Sequence, residues 1–305
     1  MRRLRYIPEG GALVEVTTKT LQSRFLLRPC QKVKDVVLGV LGRAQRKYPI
    51  RVCGYSFASN HFHLILDVDD ALQLAQFMRY VNSNLARKIG HLVGWKEKIW
   101  SRRYQAIVIS PEEEAQVGRL SYVLAHGVKE GLVEKVTDWP GVHCAQALLT
   151  GEAVQGYWFD QTQEYAARRR GESCDRMRFA SPEVLVLSPL PCWKHLSEEK
   201  RRELVAGLIA EIEAEAAAHR QRTGSKVLGA SAVCDQHPLD RPKKSKKSPA
   251  PLFHAASKAM RQELYEMYGW FVAAFRRASE KLRGGDRTVS FPAGSFPPAL
   301  PFVAA

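Results

Sequence analysis

Over its first 150 residues the chain switches repeatedly between two hydrophobic periods. ALVEVTTKT, from Ala12, alternates apolar and polar positions as a strand does. Cys30 to Tyr48 instead repeats apolar residues at helical spacing, at Val33, Val36, Val37, Val40 and Leu41, until Pro49 stops it. IRVCGYSF from Ile50 and HFHLILDV from His61 return to the strand pattern. The small polar residues Ser59 and Asn60 between them predict an antiparallel hairpin. Asp69 and Asp70 are good N-cap types, and the helix predicted over 71–92 aligns Leu74, Phe77, Met78, Val81 and Leu85 on one side. RYQAIVIS from Arg103 reads as a fourth strand. SPEEEA then opens a third helix, with Ser110 as cap, Pro111 at the first position and three glutamates in the first turn.

The order β-α-β-β-α-β predicts an α+β fold, a ferredoxin-like domain over residues 1–150 with one further, tyrosine-bearing helix appended. Such a sheet covers one face with its crossover helices and leaves the other open for a site. Residues 151–305 read as a basic, mainly helical extension with helices over about 197–220 and 257–282. Within it, RPKKSKKSPAP at 241–251 is an exposed linker and GSFPPALPF an irregular tail.

The strand HFHLILDV has a second property. Side chains alternate along a strand, so His61 and His63 share one face while Phe62, Leu64 and Leu66 share the other. Taken alone, the pair is compatible with one histidine bonded to a carbonyl and one solvated. The third helix changes this. Leu120, Leu124 and Val128 form its apolar stripe, and Tyr122 lies roughly 200° around the axis from Leu124. Tyr122 and His126 then share the opposite face as an i, i+4 pair. Beside an open sheet face carrying two histidines, they suggest three ring nitrogens for a divalent metal with a phenol alongside.

Charge narrows the partner. Lys and Arg number 46 against 31 acidic residues in 305, a net charge of +15. That balance points to a polyanion, nucleic acid first and an anionic membrane surface second. No apolar run approaches a spanning helix, and MRRLRYIPEGG has no apolar segment behind its charges. The expectation is a cytoplasmic chain without membrane association, located at the nucleoid when bound to DNA. The six cysteines include no C-x-x-C pair, so reduced thiols are expected, and His143–Cys144 has no partner at ligand spacing.

SNHFHLIL resembles the HUH signature of single-tyrosine transposases. SYVLAHGVKEGLVEKVTDWPGV resembles the tyrosine helix and following segment of the REP-associated tyrosine transposases, and IWSRRYQAIVIS fits the strand between them. The resemblance covers residues 5 to 150. It implies a metal-dependent endonuclease and strand transferase acting on single-stranded DNA next to a hairpin through a 5′-phosphotyrosine intermediate. It also implies Tyr122 as nucleophile and His61 and His63 as ligands to Mg²⁺ or Mn²⁺. Many relatives carry Asn-Pro four and five residues after the tyrosine, the Asn or a Gln serving as third ligand. This chain has His126-Gly127, which makes His126 the candidate third ligand and shifts preference from Mg²⁺ toward Mn²⁺ or later metals. Gly127 marks a possible break in the helix.

The remaining candidates are less sharply defined. Arg102, Arg103 and Tyr104, with Arg2, Arg3 and Arg5, offer phosphate charge and a stacking ring; Tyr104 is also the second candidate nucleophile. Arg168, Arg169, Arg170, Lys243, Lys244, Lys246 and Lys247 offer nonspecific backbone contacts. Lys129 stands on the tyrosine's helix face, either lowering the phenol pKa or simply solvated. The general base, the DNA hairpin and the choice between monomer and homodimer stay open. Every candidate chemical residue precedes Gly151, so the first domain is expected to keep the chemistry on its own. Two rivals follow from the same residues: a domesticated hairpin-DNA-binding or regulatory protein without transposition, and a metal-independent phosphoesterase, for which the second His-x-Ser/Thr motif is missing.

Overall fold

The computed structural model describes residues 4–173, 175–242 and 250–299. Its α+β core begins with strand β1 (Ala12–Lys19), helix α1 (Gln31–Lys47), the hairpin β2 (Arg51–Ala58) and β3 (His61–Val68), helix α2 (Ala71–Val93) and strand β4 (Gln105–Ile109). These bounds follow the apolar periods closely. Asp70 caps α2 by accepting from the Gln73 N–H, and Gly94 ends it in the left-handed region.

The strands form one sheet in the order β2-β3-β1-β4, with β1–β3, β1–β4 and β2–β3 all antiparallel. Phe62 stacks on Phe57 and meets Trp100 edge-on, and Trp100 Nε1 donates to the Asn82 carbonyl of α2. The Phe62 face is therefore the one that α2 covers. On the other face lies helix α3 (Glu113–Leu124), whose Leu120 packs over Gly54 of β2, beside Ile65 of β3.

Helix α3 starts later than the sequence predicts. Ser110 is not its cap, because the Ser110 N–H bonds the carbonyl of His254 and its hydroxyl donates to Glu112. The segment stays extended since a short strand from far along the chain pairs there. The helix also ends at Leu124, so His126 lies just past it in a turn. Gly127 explains that end. It sits at φ +94°, and a Cβ there would fall 2.9 Å from the Trp139 ring.

Residues after 124 wrap the core. Helix α4 (Ala145–Thr150), the hairpin of β5 (Val154–Phe159) and β6 (Ala180–Leu185), and helix α5 (Gln161–Arg169) come first. They precede α6 (Glu198–Thr223), α7 (Ala230–Asp235), β7 (Phe253–His254) and α8 (Lys258–Arg283). The β5–β6 hairpin packs on α1, which is buried without interruption from Val36 to Gly42. The sequence reading contains no such hairpin. Helix α6 packs on α3 and α4, and β7 adds a fifth, parallel strand beside β4. Phe253, Leu264 and Val205 belong to the same buried cluster as Val14 and Leu64. Among the described residues no helix is long and apolar enough to cross a membrane, and Cys30, Cys53, Cys144, Cys192 and Cys234 are free thiols.

Candidate active site

His61 and His63 project from β3 toward α3, where Tyr122 and His126 meet them. Ring centroids of His63 and His126 are 4.6 Å apart, those of His61 and His126 5.2 Å, and those of His61 and His63 5.1 Å. The Tyr122 ring lies 5.2 Å from His126 and 5.6 Å from His63. One ring nitrogen from each histidine falls within 4.8 Å of the others. The helix break does not spoil the pairing: Tyr122 and His126 still share a side because the turn at Ala125 keeps helical backbone angles.

Each histidine turns its Nδ1 toward an oxygen. His63 Nδ1 is 2.7 Å from Glu15 Oε1, His61 Nδ1 is 2.7 Å from Asn60 Oδ1, and His126 Nδ1 is 3.5 Å from Glu130 Oε1. An acceptor at Nδ1 fixes the proton there and leaves the Nε2 lone pair free, the arrangement expected of metal-ligating imidazoles. Burial pushes the His61 ring down to about 3, helped by His63 and Lys19. Burial, then the neighbouring imidazoles, pushes His126 down to about 2. Both rings are neutral near pH 7, as ligation requires. His126 Nε2 is buried with no hydrogen-bond partner. A buried, unpaired nitrogen beside two more imidazoles is costly as it stands and suits a divalent ion of intermediate softness. The residues fit such an ion.

Glu15 organises the centre and was not among the sequence candidates. It is 2% exposed, on the same sheet face as His63. Besides His63 it engages Arg119 Nη2 at 2.8 Å and His254 Nε2 at 2.6 Å. Burial would raise its carboxyl, but the bonds from His254 and His63 and the Arg119 charge outweigh that and hold it well below the usual range. A buried acid in the middle of a strand was the only signal in the sequence.

Burial raises the Tyr122 phenol, and Arg119 opposes the rise. The Arg119 guanidinium sits 3.9 Å from the ring centroid, whereas the exposed Lys129 is 5.0 Å away. The cation acting on the phenol is therefore Arg119.

The other candidates lie elsewhere. Tyr104 is only 9% exposed, its hydroxyl accepts from Arg5, and that guanidinium covers its ring, so it offers neither a stacking face nor a nucleophile. Arg102 and Arg103 are exposed. On α5, Arg168 pairs with Glu164 and Arg169 is exposed, and just past the helix Arg170 pairs with Glu172. Arg2, Arg3, Lys243, Lys244, Lys246 and Lys247 lie outside the described residues. His143 is used structurally, its Nε2 3.2 Å from the Val123 carbonyl.

Residues 24–123 match the family model described as IS200-like transposase; they include His61, His63 and Tyr122. Among solved structures, the chain is similar to a REP-associated tyrosine transposase bound to a REP hairpin, at 20% identity and a TM-score of 0.40. That match covers 49% of this chain and 86% of the other. A protein described as a transposase of Deinococcus radiodurans is similar at 16% identity and a TM-score of 0.29, over 39% and 94% of the two chains. No curated protein sequence matches. The similarity to the IS200-like transposases thus lies in residues 24–123, about a third of the chain.

Proposed function

We propose that the protein is a metal-dependent, single-tyrosine DNA nicking and rejoining enzyme that cuts one strand beside a hairpin through a 5′-phosphotyrosine intermediate. The observation that carries this reading is the convergence of Tyr122 on His61, His63 and His126, with the buried Nε2 of His126 unpaired. We read the strand order β2-β3-β1-β4 as ferredoxin-like, with β7 added at one edge. Residues 1–150 carry the chemical groups, and the extension completes their surroundings.

The residue types suit the reaction. A phenol near pKa 10 is a weak nucleophile at neutral pH, and a phosphodiester repels an incoming anion. His61, His63 and His126 would hold Mg²⁺ or Mn²⁺, which would supply positive charge to offset that repulsion. Glu15 fixes the His63 ring, and Arg119, anchored on the same carboxylate, places positive charge against the phenol as it loses its proton. Arg102 and Arg103, with Arg168 to Arg170 and the lysines from 243 to 247, supply sequence-independent phosphate contacts.

The test is incubation of the protein with a library of single-stranded hairpins and Mn²⁺, followed by sequencing of any DNA covalently attached to it. The expected result is attachment through Tyr122 at one position relative to a hairpin stem. Recovery of no attached DNA overturns the proposal.

A further inference from the structure

Tyr122 also lines a cleft of about 740 Å³ between α3 and α6, a size typical of small-molecule sites. The α3 wall is kept open by Gly118, Ser121 and Ala125. Apolar surface comes from Val128, Ile212 and Ala216, and positive charge from Lys129, Arg220 and Lys226. Arg220 Nη1 is buried without a hydrogen-bond partner. Two carboxylates share the cleft: Glu130, already engaged by the Gly127 N–H and His126, and the exposed Glu215. An apolar slot flanked by unspent cations matches a nucleobase with its phosphates. One wall of this cleft comes from α6 and the residues just after it, outside the family-matched segment.

We infer that the cleft seats, as one unpaired residue, the nucleotide on the 3′ side of the scissile phosphate. The inference rests on the strand-cutting reading above. In that reaction the phenol oxygen bonds to phosphorus, the bond from phosphorus to the 3′-oxygen breaks, the phenol proton passes to solvent, and the departing 3′-oxygen takes up a proton. In-line displacement sets the leaving 3′-oxygen opposite the phenol, so the upstream nucleotide points away from Tyr122. The downstream nucleotide leaves phosphorus through an equatorial 5′-oxygen and stays tethered to Tyr122 afterwards. It is the one that needs a seat beside the ring, and the α3–α6 cleft is that seat.

Two measurements on the full chain test this. First, Tyr122→Phe is mixed with a single-stranded hairpin library substituted with 5-iodouridine and irradiated, and crosslinked peptides are mapped. Crosslinks in 212–226 are expected; crosslinks confined to other segments overturn the inference. Second, an oligonucleotide that wild type attaches is compared with its copy abasic at the first position 3′ of the cut. Loss of the base should slow attachment about tenfold, and Ala216→Phe, which fills the cleft, should slow the intact strand while leaving the abasic one unaffected. Equal rates on both strands for wild type overturn the inference. The two readings fail separately: attachment without crosslinks to α6 removes the seat and keeps the chemistry. Crosslinks to α6 without any attachment remove the chemistry and keep a single-strand site.

Discussion

His254 on β7 lies 2.6 Å from the Glu15 carboxylate on β1, a contact made across 239 residues of sequence. The same carboxylate holds His63, so a residue of the extension acts through one intermediary on a ring proposed to bind the metal. Outer partners of ligating histidines are commonly worth ten- to a hundredfold in metal affinity. His254→Ala should therefore weaken Mn²⁺ binding by about tenfold, measured by calorimetric titration, with His254→Gln recovering part of the loss. Unchanged affinity in a folded His254→Ala chain would limit His254 to pinning β7 onto the sheet.

Tyr122→Phe should abolish covalent DNA attachment while hairpin affinity stays within a few-fold. The phenol oxygen is needed only for attack, whereas backbone contacts dominate binding. Gel analysis of the protein–DNA adduct checks this. Undiminished adduct in the variant would require another nucleophile, and Tyr104, covered by Arg5, is badly placed to be one.

His126→Ala should weaken Mn²⁺ binding and slow cutting, with excess Mn²⁺ restoring part of the rate, because two imidazoles and water still hold an ion loosely. The readout is the midpoint of a Mn²⁺ titration, followed both by binding and by adduct formation. An unmoved midpoint would assign His126 to packing against His63 alone.

How much of this was legible in the sequence depended on range. The elements from Ala12 to Leu124, and the gathering of His61, His63, Tyr122 and His126, follow from periods of two and of 3.6 that are written locally. Glu15, Arg119 and His254 were not legible as a group. They meet because the register of β1 on β3 sets Glu15 near His63 and because β7 joins β4, and the local pattern encodes neither that register nor the added strand. Tyr104 misled because its Arg-Arg-Tyr context reads as a binding surface, while Arg5, almost a hundred residues earlier, buries it. Ser110 misled for the same reason, its cap position having been taken by strand pairing with His254.

Lys88 gives a pH prediction away from the chemistry. It is 3% exposed on α2, with its ammonium 3.8 Å from the Trp158 ring centroid and donating to the Phe159 carbonyl. Burial, reinforced by Arg176 and Arg87, lowers its pKa to about 8. An unfolded chain keeps this proton up to about pH 10.4. Between about 8 and 10.4 the unfolded state binds more protons, so this group makes stability rise with pH across that window. Relative to Lys88→Met, the wild type should gain up to about 3 kcal/mol from pH 8 to pH 10.4 in urea unfolding. Parallel pH profiles for the two chains would contradict a buried, weakened ammonium.

The last prediction concerns whether the first domain stands alone. The β5–β6 hairpin lies so close to α1 that a Cβ on Gly39 would fall 2.1 Å from the Tyr157 carbonyl oxygen, and one on Gly156 would fall 2.2 Å from the Gly39 nitrogen. Backbone cannot retreat as a flexible side chain can, so Gly39→Ala should destabilise the protein by about 2–4 kcal/mol, although alanine is the better helix former. Gly118→Ala supplies the control, being a helical glycine whose Cβ would meet nothing within 4 Å; it should be neutral or slightly stabilising. The same packing bears on a chain cut after Gly151. That fragment loses the hairpin over α1, the α6 wall beside Tyr122, and His254 beneath Glu15. Although His61, His63, Tyr122 and His126 all precede the cut, the fragment should be poorly soluble and should form no adduct. Recovery of a soluble, active fragment would mean that the extension merely rests on a domain complete without it.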